Sequence, residues 1–374
     1  MRVVHVVSGR LFGGIEQMLL TIARCRHVVP GTEAVFALAA SGRLEQELRE
    51  GGAEVEALGD VRLSRPASVV QARGRFARLL DGSTAQSIVV VCHAPWAFAL
   101  FAPVARRASV PVVLWQHDHA SGRTLVERWA KSTRADLVIC NSAWTSSTAS
   151  ALQPNVPVSI IHPPVSVSVC PPDARDRIRA SLRADRNDVV ILTASRLEPW
   201  KGHLNLLGAL GDLRDVTGWT LWIAGAAQRP HEQRYLAQLR DEVARLGLDS
   251  RVQFLGERRD VPMLMRAADL LCQANEGPEP FGIVLAEALL SGVPVVTVDL
   301  GGAPEIVSSD CGRLVPARDR AALADALREL IQNAELRRRL AANGPGHAAS
   351  RVAPDVVLPR LAGALEKLCV TAAA

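Results

Sequence analysis

The sequence has no paired-cysteine rhythm. Its seven cysteines are odd in number and scattered (Cys25, Cys92, Cys140, Cys170, Cys272, Cys311 and Cys369), and no CxxC occurs. This argues against a disulfide framework and gives no zinc-ligand spacing, so a reducing, cytoplasmic compartment is expected. The first residues, MRVVHVVSG, have one Arg before an apolar stretch too short for a signal-peptide core and are expected to form a first strand. Charge is missing from Gly82 to Ala105, a segment without Asp, Glu, Lys or Arg that is followed by Arg106-Arg107. Length and flank alone fit a membrane span. However, His93, Pro95 and Pro103 interrupt it, and the pattern divides into a β-rich run (Ile88 to Cys92) and an apolar helix (Trp96 to Ala102). A buried strand followed by a buried helix is the expected outcome.

Charge of one sign is in excess only in the first half. Residues 1–163 carry 17 Lys+Arg against 12 Asp+Glu, and residues 164–374 carry 26 against 26. A solvated Arg-rich surface explains such an excess; an anionic acceptor or an anionic lipid surface explains it equally well. Nucleic acid is not expected, because the basic stretch Arg62 to Arg78 has Phe76 as its single aromatic and no recognised binding motif.

What is present is a soluble globular balance, 48% hydrophobic and 22% charged over 374 residues, enough chain for two domains. Short β-branched runs (VVHVV, AVFALAA, SIVVVC, PVVLWQ, DLVIC, SIIH, then VVILTA, WTLWIAG, VQFLG, LLCQA, PVVTV) alternate with amphipathic stretches. That rhythm predicts α/β domains with parallel sheets and crossover helices. The proline-rich HPPVSVSVCPPDARD (162–176) reads as the linker. The expected organisation is a Rossmann-like domain over 1–163, a second over 164–350, and a C-terminal helix over 351–374 that packs back on the first domain.

In doubly wound sheets ligands sit beyond the carboxyl ends of the strands. After VVHVV comes SGRLFGGIEQMLL, with Gly13-Gly14 before a helix; tight turns use glycine anyway, and the loop does not match G-x-G-x-x-G. After VVILTA, SRLEPWKGH places Arg196 and Lys201 on one loop. Such cations are often simply solvated, but a guanidinium and an ammonium aimed at one site also suit a diphosphate. EPFGIVLAE sets Glu279 and Glu287 eight positions apart. On these residues alone it reads as a helix with a charged first turn and one solvated carboxylate.

Taken together, SGRLFGGIEQMLL, ASRLEPWKGH, VQFLG and NEGPEPFGIVLAEALLSGVPVVTVDLGGAPEIV resemble the family-4 retaining glycosyltransferases of GT-B fold, in order from residue 1 to about 340. The resemblance implies two doubly wound domains facing across a cleft and transfer of a hexosyl unit from a UDP-, GDP- or ADP-linked sugar to an acceptor glycan, glycolipid or small molecule. It implies that Glu279 contacts the hexose and Glu287 the ribose, and that Arg196 and Lys201 hold the diphosphate. Phe281, Gly282, Ile283 and Val284 would open the helix toward the phosphates, with Gly13 and Gly14 closing over them. Read as one helix, the eight residues from Glu279 to Glu287 span about 12 Å, comparable to the reach from ribose to hexose.

On the acceptor side the family places a histidine after the fourth strand of the first domain. PVVLWQHDHASG offers His117, the better fit, and His119; His93, after SIVVVC, is a further cleft candidate beside a plain loop histidine. No Asp-x-Asp occurs, so no metal and no cofactor are expected. Glu276 competes for the first motif position, but only Glu279 has a partner eight residues on. Two other readings stay open: a dinucleotide-dependent oxidoreductase and a non-catalytic nucleotide-sugar-binding subunit. A pyridoxal lysine of the phosphorylase type is not locatable. The expected location is cytoplasmic, with peripheral contact at the inner membrane face allowed by the basic first half.

Overall fold

The computed structural model describes residues 1–10, 12–82, 87–168, 170–227 and 229–371. It divides into two compact units, residues 1–165 with 352–374 and residues 166–351.

The first unit is built on a seven-stranded parallel sheet: β1 (Arg2–Val7), β2 (Glu33–Leu38), β3 (Glu54–Ala57), β4 (Ile88–Cys92), β5 (Val112–Gln116), β6 (Leu137–Cys140) and β7 (Val158–Ile160), in the order β3-β2-β1-β4-β5-β6-β7. The central strands are Val- and Ile-rich without alternation because helices cover both faces. One face is packed by Val4, Val6, Val90, Cys92, Val112 and Leu114 against Phe76, Phe98 and Phe101. The uncharged segment resolves into β4 and the helix Pro95–Arg107. This helix is longer than expected at both ends: Pro95 suits its first turn, where no amide donor is needed, and Pro103 is tolerated inside it. Among the described residues no helix is long and apolar enough to cross a membrane. The helix Pro354–Thr371 belongs to this unit; Leu358, Leu361 and Leu365 line a small cavity together with Val3, His5 and Ile22. Residues 372–374 of the expected C-terminal helix lie outside the described residues.

The second unit carries six parallel strands: β8 (Val189–Ala194), β9 (Trp219–Ala224), β10 (Val252–Gly256), β11 (Leu270–Gln273), β12 (Val295–Val298) and β13 (Gly312–Val315), in the order β10-β9-β8-β11-β12-β13. Its base is tied by Arg179, which donates to the carbonyls of Ala267 (3.0 Å) and Asp188 (3.0 Å) and pairs with Asp269. Asp269 in turn accepts the Val190 amide at 2.7 Å.

In both sheets the strand order reverses at one point, between β1 and β4 in the first and between β8 and β11 in the second. Adjacent loops there leave in opposite directions and open a crevice at the strand ends. The strands that sequence pattern did not predict, β3 and β13, are both edge strands. Edge position leaves β3, with the sequence EVEA, half in solvent, so its carboxylates break the apolar signal.

Candidate functional site

In the second unit, the loops after β8 and β11 meet at the reversal point. The Glu276 amide donates to the Trp200 carbonyl at 2.8 Å. Gly202 has φ +71°, and a Cβ there would stand 1.8 Å from the Ala274 carbonyl oxygen, so only glycine lets the two loops press together. The contact places Lys201 against Glu279: Lys201 Nζ donates to Glu279 Oε2 at 2.6 Å, with the two side chains 12% and 17% exposed. Asn275 Nδ2 donates to the same oxygen at 2.8 Å. Glu279 Oε1 accepts no hydrogen bond from the described residues.

Arg196 lies on the same loop, partly exposed, 3.0 Å from Glu198, whose other oxygen accepts from Trp200 Nε1. The Lys201 ammonium lies 3.9 Å from the Trp200 ring centroid, a cation–π contact. The cations therefore differ from the sequence expectation in one respect: Lys201 already has a carboxylate partner in Glu279. Buried His203 anchors the loop, its Nε2 lying 3.2 Å from Ser195 Oγ, and burial holds its pKa down to about 4.

Glu279 is not in a helix. It forms an isolated parallel bridge with Gly301, and its carbonyl accepts the Gly302 amide at 2.7 Å. Gly301 has φ +72°, and a Cβ there would stand 2.3 Å from the Glu279 carbonyl oxygen, so this loop reaches the Glu279 backbone only with glycine. The helix starts at Ile283 and runs to Leu290, capped by Gly282 in the left-handed region (φ 96°). Helical rise thus does not set the separation of the two glutamates, which corrects the eight-residue ruler. The reason is that Pro280 and the left-handed Gly282 hold the intervening chain out of helix. Phe281 is 2% exposed and belongs to the core, so its side chain is not offered to a ligand. Ile283 and Val284 form the first turn, whose amides have no partner within the helix.

Glu287 sits in the second turn, half-buried. Its carboxyl has no hydrogen-bond or ion-pair partner among the described residues, and burial pushes its pKa from 4.5 up to about 7. This is an acceptor with nothing among the described residues to accept from.

In the first unit the strand ends carry histidines. His93 follows β4 and is 1% exposed, so it reaches a ligand only through its neighbours; this corrects its reading as a cleft-lining group. Its Nδ1 lies 3.0 Å from His117 Nε2, and its Nε2 lies 2.9 Å from Nδ1 of His5, which the sequence reading passed over as a strand residue. The His117 ring is half-buried, its centroid 5.5 Å from Trp115 and 5.3 Å from His93, which are themselves 5.3 Å apart. Its carbonyl accepts from Asn141 Nδ2 at 3.1 Å. Burial lowers the pKa of His5 and of His117 to about 3 and holds that of His93 well below its usual value.

His119 is exposed and lies beside Trp144, 5.7 Å between ring centroids. The loop that follows is braced by Glu127. Burial alone would raise this carboxyl's pKa, but donors from Thr124 and Ser121 outweigh it and hold the value at about 2. Gly13 caps the helix Gly14–Arg24, its amide donating to Glu16 at 3.0 Å, while Gly14 is exposed.

The family model Glycosyltransferase Family 4 matches residues 12–169, and Glycosyl transferases group 1 matches residues 174–347. A GDP-mannose-dependent alpha-(1-6)-phosphatidylinositol monomannoside mannosyltransferase of Mycobacterium tuberculosis is 32% identical over 69% of this chain and 69% of its own length. The chain belongs to the family-4 glycosyltransferases. A second relative of this family-4 chain, the phosphatidyl-myo-inositol mannosyltransferase of Mycobacterium leprae, is 42% identical over 39% of this chain and 38% of its own length. The match thus spans less than half of that relative. Among solved structures, Anabaena Alr3699/HepE in complex with UDP-glucose is similar at 27% identity and TM-score 0.83, over 98% of this chain and 100% of that one. The fold is accordingly GT-B, with two Rossmann-like domains.

Residues that sequence reasoning missed are Asn275, His5, His203 and the Gly301-Gly302 pair. Asn275 and Gly301-Gly302 lie inside the quoted NEGPEPFG…DLGGAPE block, where a signal existed but no role was attached.

Proposed function

We propose that this protein transfers a hexosyl unit from a nucleoside diphosphate sugar to an acceptor hydroxyl, with retention of anomeric configuration and without a metal ion. The observation that carries this reading is the Lys201–Glu279 pair where the loops after β8 and β11 meet at the reversal point of one sheet, with Arg196 on the same loop as Lys201 and a Glu287 unpartnered among the described residues on the helix that follows Glu279. Two cations suit a diphosphate, and a half-buried carboxyl without a partner suits the paired hydroxyls of a ribose. Glu279 Oε1 is left for hydroxyls of the hexose, while Lys201 and Asn275 hold the other oxygen. The first-turn amides at Ile283 and Val284 offer donors to the phosphates. In the first unit the group offered to a sugar hydroxyl is His117 Nδ1, with His119 on the exposed side of the same loop.

No carboxylate here is assigned as a nucleophile, because both glutamates are given donor-binding work. The step is a same-face displacement. The bond from the anomeric carbon to the β-phosphate oxygen breaks as the bond to the acceptor oxygen forms, and the acceptor proton passes to the departing phosphate. Arg196 and Lys201 stabilise the charge that collects on that phosphate.

Both named relatives are mannosyltransferases named for phosphatidylinositol-type acceptors, the Mycobacterium tuberculosis one is GDP-mannose-dependent, and the solved structure holds UDP-glucose. GDP-mannose is therefore the first donor to test and a glycolipid the first acceptor class. Exposed Leu63, Val70, Leu125 (82%) and Trp129 (39%) stand among Arg62, Arg65, Arg123, Arg128 and Lys131, a composition that suits an anionic membrane surface.

The test is a transfer assay with UDP-, GDP- and ADP-sugars on the wild type and on Glu279→Ala, Arg196→Ala and Lys201→Ala, with the product anomer read by NMR. Each substitution should lower turnover by at least about 100-fold with folding retained. Full activity in any of the three, an inverted anomer, or loss of turnover in EDTA restored by manganese overturns the corresponding part of the reading. Donor binding without turnover of any acceptor would favour the non-catalytic subunit, and nicotinamide-linked absorbance changes the oxidoreductase.

A further inference from the structure

The first unit holds a chain of three imidazoles on one face of its sheet, His5 and His93 buried and His117 half-buried. His5 stands on β1, His93 follows β4 and His117 follows β5, and two ring-to-ring hydrogen bonds of 2.9 and 3.0 Å link them. The rings lie edge to edge along these bonds, with centroid separations of 5.1 and 5.3 Å, closed at one end by Phe36 (5.5 Å from His5) and flanked by Trp115. Burial keeps all three neutral at ordinary pH. The arrangement is not that of a metal site, since no group of three ligating side chains among the described residues could hold an ion.

A neutral imidazole has one N–H and one lone pair, and each ring-to-ring bond needs one of each. If His93 carries its proton on Nδ1, that proton fills the bond to His117. His117 must then be protonated on its own Nδ1, and His5 must donate from Nδ1 to His93. If His93 carries its proton on Nε2, the same reasoning places the protons of His117 and His5 on Nε2. The three rings therefore share one tautomer.

We propose that His5 and His93 are positioning residues, which lock His117 in this common tautomer and thereby fix whether its free Nδ1 donates to, or accepts from, a sugar hydroxyl. The functional half of this inference rests on the assignment of His117 to a sugar contact; the coupling of the three tautomers does not. Because a single ring cannot change tautomer without breaking a buried hydrogen bond, the choice is made once for the whole chain.

Long-range proton–nitrogen correlation spectra of the full chain labelled with 15N-histidine test the coupling directly. His5, His93 and His117 should show one and the same neutral tautomer. His93→Phe keeps a flat ring beside Trp115 and removes both bonds. It should move the His117 nitrogen shifts toward the averaged values of exposed His27 and lower kcat about tenfold, with the donor KM changed less than about twofold. His5→Phe, two rings away, should move the His117 shifts in the same direction by less, and it serves if His93→Phe does not fold. Mixed tautomers among the three rings of the wild type, or His117 shifts that ignore both substitutions, overturn the proposal. A common tautomer in a protein that turns over no nucleotide sugar would support the chain and overturn the functional reading instead.

Discussion

Replacing Glu287 by Gln isolates the cost of an unpartnered carboxyl. In the folded chain burial moves its pKa from 4.5 to about 7. Between those values the native state binds more proton than the unfolded state, so stability falls as pH rises through this window and stays low above about 7. At about 1.4 kcal/mol per pH unit the full interval amounts to about 3 kcal/mol. The residue is only half-buried, so solvent screening reduces this to about 1–2 kcal/mol. Gln has the same shape and no charge. At about pH 4, below both values, the carboxyl is mostly neutral in both states, and the variant and wild type should unfold at nearly the same urea concentration. At pH 8 the variant should be more stable by about 1–2 kcal/mol, a midpoint shift of about 0.5 M at an ordinary urea slope.

Donor binding should respond in the opposite sense. Ribose hydroxyls donate to the ionised carboxyl, so the wild-type affinity for nucleoside diphosphate should rise as pH passes about 7. In Glu287→Gln it should be weaker and nearly flat with pH. Urea unfolding at the two pH values, followed by tryptophan fluorescence, and calorimetric titration with nucleoside diphosphate measure the two halves. A stability difference independent of pH would refute the burial argument. Unchanged donor affinity in Glu287→Gln would refute the assignment of Glu287 to the ribose.

Gly301→Ala forces a Cβ to within 2.3 Å of the Glu279 carbonyl oxygen at a positive φ, so the Glu279 backbone has to move. A loss of about 2–4 kcal/mol in urea unfolding is expected, together with weaker donor binding; wild-type values for both would show that the loop contact is not needed. Arg179→Ala strips one of two guanidinium partners from Asp269, which keeps Arg175 at 2.6 Å, and removes the donors to the carbonyls of Ala267 and Asp188 beneath the second sheet. It should cost about 3 kcal/mol, measured by the same unfolding assay, and a change below about 1 kcal/mol would mean that this network contributes little.

Much of the site was legible because it follows strands. VVILTA, LLCQA and VVHVV are apolar runs that the β-period identifies, and the residues after them include Arg196, Lys201 and Glu279. The edge strands β3 and β13 were not legible, since half-exposed strands mix charge into the pattern. Reading EPFGIVLAE as continuous helix also failed at its start. Local propensity did not anticipate that Pro280 and Gly282 hold Glu279 out of the helix, where it pairs with a loop 22 residues on.

By itself, the sequence determined the doubly wound α/β class, the positions of the strands inside each sheet and the identity of most chemically capable side chains. These follow from short-range pattern: β-branched runs buried on both faces, and glycines where loops turn. Only the tertiary structure decided which of those side chains meet. Lys201 reaches Glu279 because Gly202 lets two loops touch, and His5 reaches His93 because β1 and β4 are neighbours in the sheet though far apart in the chain. Burial then set their charge, leaving the histidines neutral and Glu287 poised near neutrality; exclusion of water is a property of the packed fold, not of any one segment.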